Sequence, residues 1–273
     1  MASTSGTAKR PLALVTGASS GIGEAFARAY ASRGYDLALV ARRRARLAAL
    51  GAELAEAHGT EALVLPADLA AIDAHKGVLD ALAAHGRQVD VLVNNAGFGI
   101  AQSFTGVPWD RQRDFLMTLV VNACGLAYGV IPQMTARGSG AIINVASLAG
   151  FAPGAAGHTL YPGAKSLMIK FSEALDAELR SKGVRVTAVC PGFTRTEFAD
   201  VNGTRQVMDR SPRMFFQTAA EVAESAIEAN ARGRVVWIPG WHNRLAAFVL
   251  RALPGPLVAA AVRAGSAKYL IED

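Results

Sequence analysis

Short apolar runs rich in Val, Leu, Ile and Ala recur along the chain at 12–16, 37–41, 62–66, 89–93, 141–145, 184–190 and 235–238. None of them alternates apolar with polar residues, and that pattern predicts strands buried on both faces of a parallel sheet. Between the runs, helical periodicity predicts helices over 21–33, 42–58, 73–86, 109–136, 161–182 and 219–231. Strand, helix, strand repeated in this order predicts one doubly wound α/β domain over 10–240. Its parallel sheet should have about seven strands, with helices on both faces. A ligand of such a sheet is expected outside the carboxyl ends of the strands, near the switch in strand order.

No internal repeat or low-complexity tract divides the 273 residues, a length that fits one large domain. The pattern loses its regularity over 193–218, and so long a segment without periodicity predicts a lid over a site. Residues 1–9 are polar, carry no apolar core of a secretory signal and read as a flexible tail. At the other end, 241–273 is apolar but broken by Arg244, Arg251, Arg263 and a Pro-Gly-Pro at 254–256. No run there reaches the ~20 apolar residues of a spanning helix. The segment reads as an apolar helical extension docked at the edge of the domain, with peripheral contact to a membrane surface as the alternative.

Composition narrows the class. Hydrophobic residues make up 51% of the chain and charged residues 18%, as in a globular protein. The net charge of +6 comes from scattered cations and a cluster at 42–46, with no basic stripe interleaved with aromatics, so nucleic acid is not an expected partner. A basic surface that attracts an anionic cofactor accounts for the sign. Cys124 and Cys190 both lie in apolar runs, which points to free thiols and a reducing, cytoplasmic setting.

The first strand ends in T-G-A-S-S-G-I-G at 16–23, which opens directly into a helix. Gly17 permits a tight turn, Gly21 lets backbone approach a pyrophosphate, and Gly23 allows helix and sheet to pack closely. Ser19, Ser20 and Ile22 complete the loop, and the helix N-terminus supplies amides and a favourable dipole for phosphate. An acid about twenty residues further on would ordinarily hold a ribose 2′-hydroxyl. None occurs between Leu37 and Ala52, and Arg42, Arg43, Arg44 and Arg46 stand there instead. A guanidinium in that place suits a 2′-phosphate, so NADP(H) is expected in preference to NAD(H), which stays open as the alternative. Arginine at a helix start opposes the dipole, so a compensating anion is expected beside these residues.

Tyr161 and Lys165 are four apart at a helix start and project from one face. A phenol with a pKa of about 10 transfers protons poorly near neutrality, and a neighbouring ammonium would favour its ionised form. Ser147 ends the fifth predicted strand, where a hydroxyl faces the ligand crevice and can donate to a substrate oxygen.

With these residues in order, the chain resembles the short-chain dehydrogenase/reductase family from about residue 10 to 240. The motifs that carry the resemblance are T-G-A-S-S-G-I-G, D-L at 68–69, N-N-A-G at 94–97, Asn122, Ser147, Y-x-x-x-K at 161–165, P-G at 191–192 and T-R-T at 194–196. The resemblance implies a Rossmann-type domain and a set of roles. Tyr161 would be the acid of reduction and the base of oxidation. Lys165 would hold the nicotinamide ribose and tune the phenol, Ser147 would orient the carbonyl, and Asn122 would keep a water behind the lysine. Asp68 and Leu69 would flank the adenine, and Asn95, Ala96 and Gly97 would line the cofactor. Pro191, Gly192, Thr194 and Thr196 would meet the nicotinamide amide and pyrophosphate. Asn94 is expected to tie the sheet together. The Pro162–Gly163 pair after the tyrosine departs from the usual pattern without removing a catalytic atom.

The substrate should meet loops above the strand ends. Phe98 and Ile100, then Leu148, Phe151 and Pro153, then Phe193, Phe198, Met208, Met214 and Phe215 predict an apolar pocket with a mobile lid. The F-x-P after the serine and V-C-P-G-F-T-R-T-E-F at 189–198 resemble the branch of the family that includes 3-oxoacyl and hydroxysteroid reductases, and that resemblance implies a hydrophobic ketone or secondary alcohol. His158 reads as a surface-loop residue, and no histidine spacing suits a metal. Two rival readings are an NADP(H)-binding sensor and a partner-dependent subunit with little turnover. Helices 109–136 and 161–182 are apolar enough to build a homodimer or homotetramer.

Overall fold

A computed structural model of the protein describes residues 9–154, 156–157, 159–202 and 213–266. A seven-stranded sheet is built from β1 (Leu12–Thr16), β2 (Asp36–Ala41), β3 (Ala62–Pro66), β4 (Val91–Asn94), β5 (Gly140–Val145), β6 (Val184–Val189) and β9 (Val236–Trp237), in the order β3-β2-β1-β4-β5-β6-β9. Every pairing within it is parallel. The order reverses between β1 and β4, so the crevice that binds ligands in such sheets opens above that pair. The fold is a single Rossmann-type α/β domain.

Burial explains the missing alternation in the strands. In β1, Ala13 and Val15 enter a layer with Phe26 and Tyr30 of α1 (Gly21–Ala31), Leu47 and Leu54 of α2 (Arg44–His58), and Val222 of α8 (Ala219–Ala231). Leu12 and Leu14 point to the other face, with Val78 of α3 (Ala74–Ala84), Leu126 and Met134 of α5 (Asn122–Ala136), and Leu175 of α6 (Tyr161–Leu179). Neighbouring residues therefore meet two different apolar layers, and both must be hydrophobic. β3 at the sheet edge is only half-buried.

Polar groups inside this core are paired across elements. Asn94 donates from Nδ2 to Asn144 Oδ1 and to the Ala123 carbonyl, each at 3.0 Å. Asn144 Nδ2 donates to Ser172 Oγ at 2.9 Å, and that hydroxyl donates to the Met168 carbonyl at 2.7 Å. This buried chain joins β4, β5, α5 and α6, the tie expected of Asn94.

Two expectations change. The helix expected over 109–136 is helical throughout, but α4 (Trp109–Leu116) meets α5 through a π-helical turn at Met117–Val121. The wider turn sits just before Asn122, whose side chain is anchored outside the helix. This 28-residue helix is long and apolar enough to cross a membrane, yet Phe115, Leu119, Leu126, Val130 and Met134 are buried in the domain. The irregular segment 193–218 carries structure of its own. β7 (Thr194–Arg195) pairs parallel with β8 (Gln217–Thr218), Phe193 stacks on Phe216 at 5.6 Å, and α7 spans Phe198–Val201. Two short strands of this kind show no recognisable run in the sequence. The apolar end forms two helices, α9 (Trp241–Ala252) and α10 (Gly255–Ser266), and Asn243, Ala247 and Val258 of these are buried. Residues 1–8, His158 and Met208 lie outside the described residues.

Phe26, fully buried between α1 and the sheet, should be among the costliest truncations away from the cleft. Phe26→Ala is expected to lose about 3–5 kcal/mol of stability. The change would appear as a lower midpoint of urea unfolding with unchanged slope.

Candidate active site

The crevice at the switch point is an open cleft of about 1440 Å³. Its floor is built where β1 and β4 end side by side. Thr16 Oγ1 donates to the Val93 carbonyl at 3.2 Å and accepts the amides of Asn95 and Ala96 at 2.9 and 3.0 Å. Asn95 Nδ2 donates back to the Thr16 carbonyl at 2.9 Å. One threonine thus locks the glycine turn to the N-N-A-G segment.

The turn has no room for side chains. A Cβ on Gly23 would lie 2.3 Å from the Gly17 carbonyl oxygen and 2.5 Å from Asn95 Nδ2, so Gly23 packs behind the cleft and not in it. Gly17 and Gly21 have φ of 67° and 59°, conformations that favour glycine. Ser20, the N-cap of α1, makes no side-chain cap bond, so the first amides of the helix are left for another acceptor. An uncapped helix start beside glycines that keep the backbone bare suits a pyrophosphate.

Arg42 and Arg43 stand at the rim of this turn. Arg43 donates to Ser19 Oγ from Nε and Nη2 at 3.1 and 3.0 Å, and to Ser20 Oγ at 2.7 Å. Its Nη1 reaches Glu197 Oε2 at 2.9 Å, and Arg46 Nη1 contacts both oxygens of Glu197 at 2.7 and 2.9 Å. Hydrogen bonds from Arg43 and then Arg46 hold the Glu197 carboxyl below its usual range. The anion expected beside these arginines is therefore present within the chain. Sequence reasoning passed over Glu197, although it follows directly on T-R-T. All three side chains are roughly half exposed, so the pairs hold weakly and can be displaced.

Tyr161, Ser147 and Lys165 meet at the carboxyl end of β5. Ser147 Oγ accepts the Ala149 amide at 3.2 Å, capping the short 3₁₀ turn Leu148–Phe151, and it hydrogen-bonds the Tyr161 phenol. Around the phenol ring lie Phe115 at 6.3 Å and Phe198 at 6.1 Å, with Phe98 edge-on to Phe115. Burial pushes the phenol above its ordinary pKa, and the hydrogen bond from Ser147 opposes this. Desolvation thus dominates, whereas the sequence placed the lysine first. The Lys165 ammonium lies 5.7 Å from the ring centroid and donates to the Val145 carbonyl at 2.8 Å. Burial lowers its pKa from 10.5 to about 8. An ammonium has three protons, so two remain for a ligand in the cleft that Lys165 lines.

Most residues expected at the site meet in this cleft. Gly17, Ser19, Ser20, Gly21 and Ile22 form one end, with Asp68, Leu69, Asn95, Ala96 and Gly97 beside them. Pro191, Gly192, Thr194 and Thr196 form the facing wall, and Phe98, Leu148, Phe193 and Phe198 the apolar end. Asn122 does not join them. Its Nδ2 donates to the Leu69 and Ala71 carbonyls at 2.9 Å each, and its Oδ1 accepts the His75 amide at 3.0 Å. With its amide engaged in this way, the Asn122 side chain fixes the β3–α3 connection. Phe151, the last residue of the 3₁₀ turn, also stays out and packs against Ala146 and Met168. Its position one turn beyond Ser147 faces it into the layer. Arg111, Asn202 and, from the C-terminal helices, Asn243, Ala246, Leu250 and Val262 line the cleft unforeseen. The apolar tail carried no signal for this, because the contact depends on how α9 folds back.

A model of the short chain dehydrogenase family matches residues 11–207. An uncharacterized oxidoreductase of Myxococcus xanthus (strain DK1622) is 35% identical over 251 residues, covering 92% of this chain and 96% of that protein. Among solved structures, a short-chain dehydrogenase from Sphingobium yanoikuyae in complex with NADPH is 34% identical with a TM-score of 0.77, covering 85% of this chain and 89% of that one. A bulky-bulky ketone specific alcohol dehydrogenase from Comamonas testosteroni is 31% identical with a TM-score of 0.74, over 86% of this chain and 88% of that one.

The depressed Lys165 pKa has a consequence for stability. Between about 8 and 10.5 the unfolded chain holds a proton on this lysine that the folded chain has released, so stability from this group rises with pH across that window. Below it, the buried charge is a constant penalty. Lys165→Met is expected to compare best with the parent protein at pH 7, and its relative stability should decline as pH passes through 8. Urea unfolding of both proteins at a series of pH values measures this, and a pH-independent difference would contradict it.

Proposed function

The chain belongs to the short-chain dehydrogenase family and is an oxidoreductase acting on CH–OH groups with NAD(P); on that premise we propose that it interconverts a hydrophobic ketone and its secondary alcohol with NADP(H). The observation that carries the reading is the meeting of Tyr161, Ser147 and Lys165 at one end of a cleft whose other end is a bare, uncapped helix start.

NADP(H), when bound, supplies or accepts the hydride. The chain's residues hold and orient the reactants and manage the proton. Amides of the 17–23 turn would hold the pyrophosphate, Arg42 and Arg43 the 2′-phosphate, and Asp68 and Leu69 the adenine. Asn95, Ala96 and Gly97 would line the middle, with Pro191, Gly192, Thr194 and Thr196 about the carboxamide. The two unspent protons of Lys165 would meet the ribose hydroxyls. Ser147 would donate to the carbonyl oxygen and orient it, beside the phenol whose pKa it lowers. Tyr161 keeps its proton at neutral pH because its surroundings are apolar, which suits an acid that protonates the developing alkoxide. In the reverse direction, positive charge in the cleft would favour the phenolate as base.

Phe98, Leu148, Phe193 and Phe198, joined by Ala246 and Leu250, favour an apolar substrate, and a structural relative is a ketone-specific alcohol dehydrogenase. The NADP(H) preference is supported by Arg43 and by the relative bound to NADPH. The free thiols of Cys124 and Cys190 fit a cytoplasmic setting. A homodimer or homotetramer would form through α5 and α6, whose outer faces expose Tyr128 at 83% and Leu167 at 44%.

The direct test is a panel of ketones and secondary alcohols run with NADPH and NADH, with Tyr161→Phe alongside. The variant should keep cofactor binding and lose about 10²–10⁴-fold in turnover. Full rate in the variant would disprove the acid–base assignment, and cofactor binding without turnover across the panel would favour a sensor. The Arg43–Glu197–Arg46 bridge generates a second outcome. Glu197 occupies the guanidiniums that a 2′-phosphate needs, so Glu197→Gln should tighten NADPH about three- to tenfold and leave NADH unchanged. Fluorescence titration of the two cofactors reads this out, and equal gains for both would refute it.

A further inference from the structure

The C-terminal helices have two unlike faces. Asn243, Ala246, Ala247 and Leu250 of α9 turn inward, with Val258 and Val262 of α10, onto the domain and its cleft. On the outer side of α9, Trp241, Leu245, Phe248, Val249 and Leu253 fall at helical spacing into one stripe, and Leu257 of α10 continues it. Trp241 is 64% exposed and Phe248 67%. A contiguous aromatic and aliphatic stripe facing water marks a contact surface.

Charge identifies what covers it. From Glu228 to Glu272 the chain contains no acidic residue, and it carries Arg232, Arg234, Arg244, Arg251, Arg263 and Lys268. Arg244 and Arg251 lie seven residues apart on one flank of the stripe, with Arg244 over the Trp237 ring and Arg251 over the Phe151 ring. A second copy brought face to face through this stripe would set arginine against arginine, with no acidic residue on either of the two described helices to pair them. An apolar stripe with Trp and Phe, flanked only by cations, is instead the composition that lies in the interface of an anionic bilayer.

We propose that the outer face of α9 and α10 docks the protein onto an anionic phospholipid surface, the Trp241–Phe248 stripe entering the acyl boundary and Arg244, Arg251 and Arg263 meeting the headgroups. Because the inner face of the same helices lines the cleft, docking brings the apolar end of the cleft next to the lipid. A hydrophobic carbonyl compound dissolved in the membrane would then have a short path to the site. The docking itself rests on the two helices alone and is independent of the cofactor and substrate assigned above.

The test is flotation of the full-length protein with vesicles of phosphatidylcholine alone or enriched in phosphatidylglycerol. The protein should float with the phosphatidylglycerol vesicles, less so as salt is raised, and stay behind with phosphatidylcholine alone. Leu245→Asp and Phe248→Asp, both on the exposed stripe, should lower vesicle affinity about tenfold or more while leaving the circular dichroism spectrum and thermal midpoint unchanged. Failure to float with anionic vesicles, or flotation unaffected by both substitutions, overturns the proposal. So does an oligomer that Phe248→Asp dissociates in the absence of lipid, which would make the stripe an interface between copies.

Discussion

A parallel sheet covered by helices on both faces has no solvated side, so charge in its strands is confined to their starts, as at Asp36 and Arg185. In this protein Leu12 and Leu14 fill one apolar layer while Ala13 and Val15 fill the other. Among the polar side chains within the layers, Asn94, Asn144 and Ser172 are tied to one another. Chemistry is thereby confined to the carboxyl edge of the sheet, where strands hand over to loops and helix starts. The side-by-side ends of β1, β4 and β5 gather the glycine turn, the N-N-A-G segment and Ser147 at that edge.

The same exclusion of water sets the protonation states. Tyr161 stands among Phe98, Phe115 and Phe198, and burial raises its pKa, while burial lowers that of Lys165. Desolvation disfavours the charged form of each, so the pair moves together: the phenol holds its proton and the ammonium holds its own less firmly. Both groups are thus nearer to neutral behaviour than in water, and a bound charge in the cleft would have a large effect on either. A buried ammonium that spends one proton on Val145 leaves the rest of its hydrogen-bonding capacity for what binds there.

At the other end of the cleft the electrostatics are exposed and soft. Arg43 is organised by Ser19 and Ser20, then shared with Glu197, which α7 and its preceding strand carry in from the far side of the site. The glutamate neutralises guanidiniums that would otherwise oppose the start of α2. A contact between exposed groups contributes little stability and can exchange with another anion.

The sequence by itself determined the layered α/β class and the glycine turn at 16–23, through apolar runs without alternation and glycines where backbone must approach. It singled out Ser147, Tyr161 and Lys165 through the resemblance carried by its ordered motifs, since a helical spacing of four is not specific alone. Tertiary structure decided what depends on approach between distant segments. It turned Asn122 toward Leu69 and His75, packed Phe151 of the 3₁₀ turn against Ala146 and Met168, and paired β7 with β8 inside a segment that showed no period. It also brought Glu197 to Arg43 across 154 positions of chain and folded α9 back to wall the cleft. A residue's type and spacing say what it can do, but which partner it meets is set by the packing of whole elements, and no local pattern encodes that.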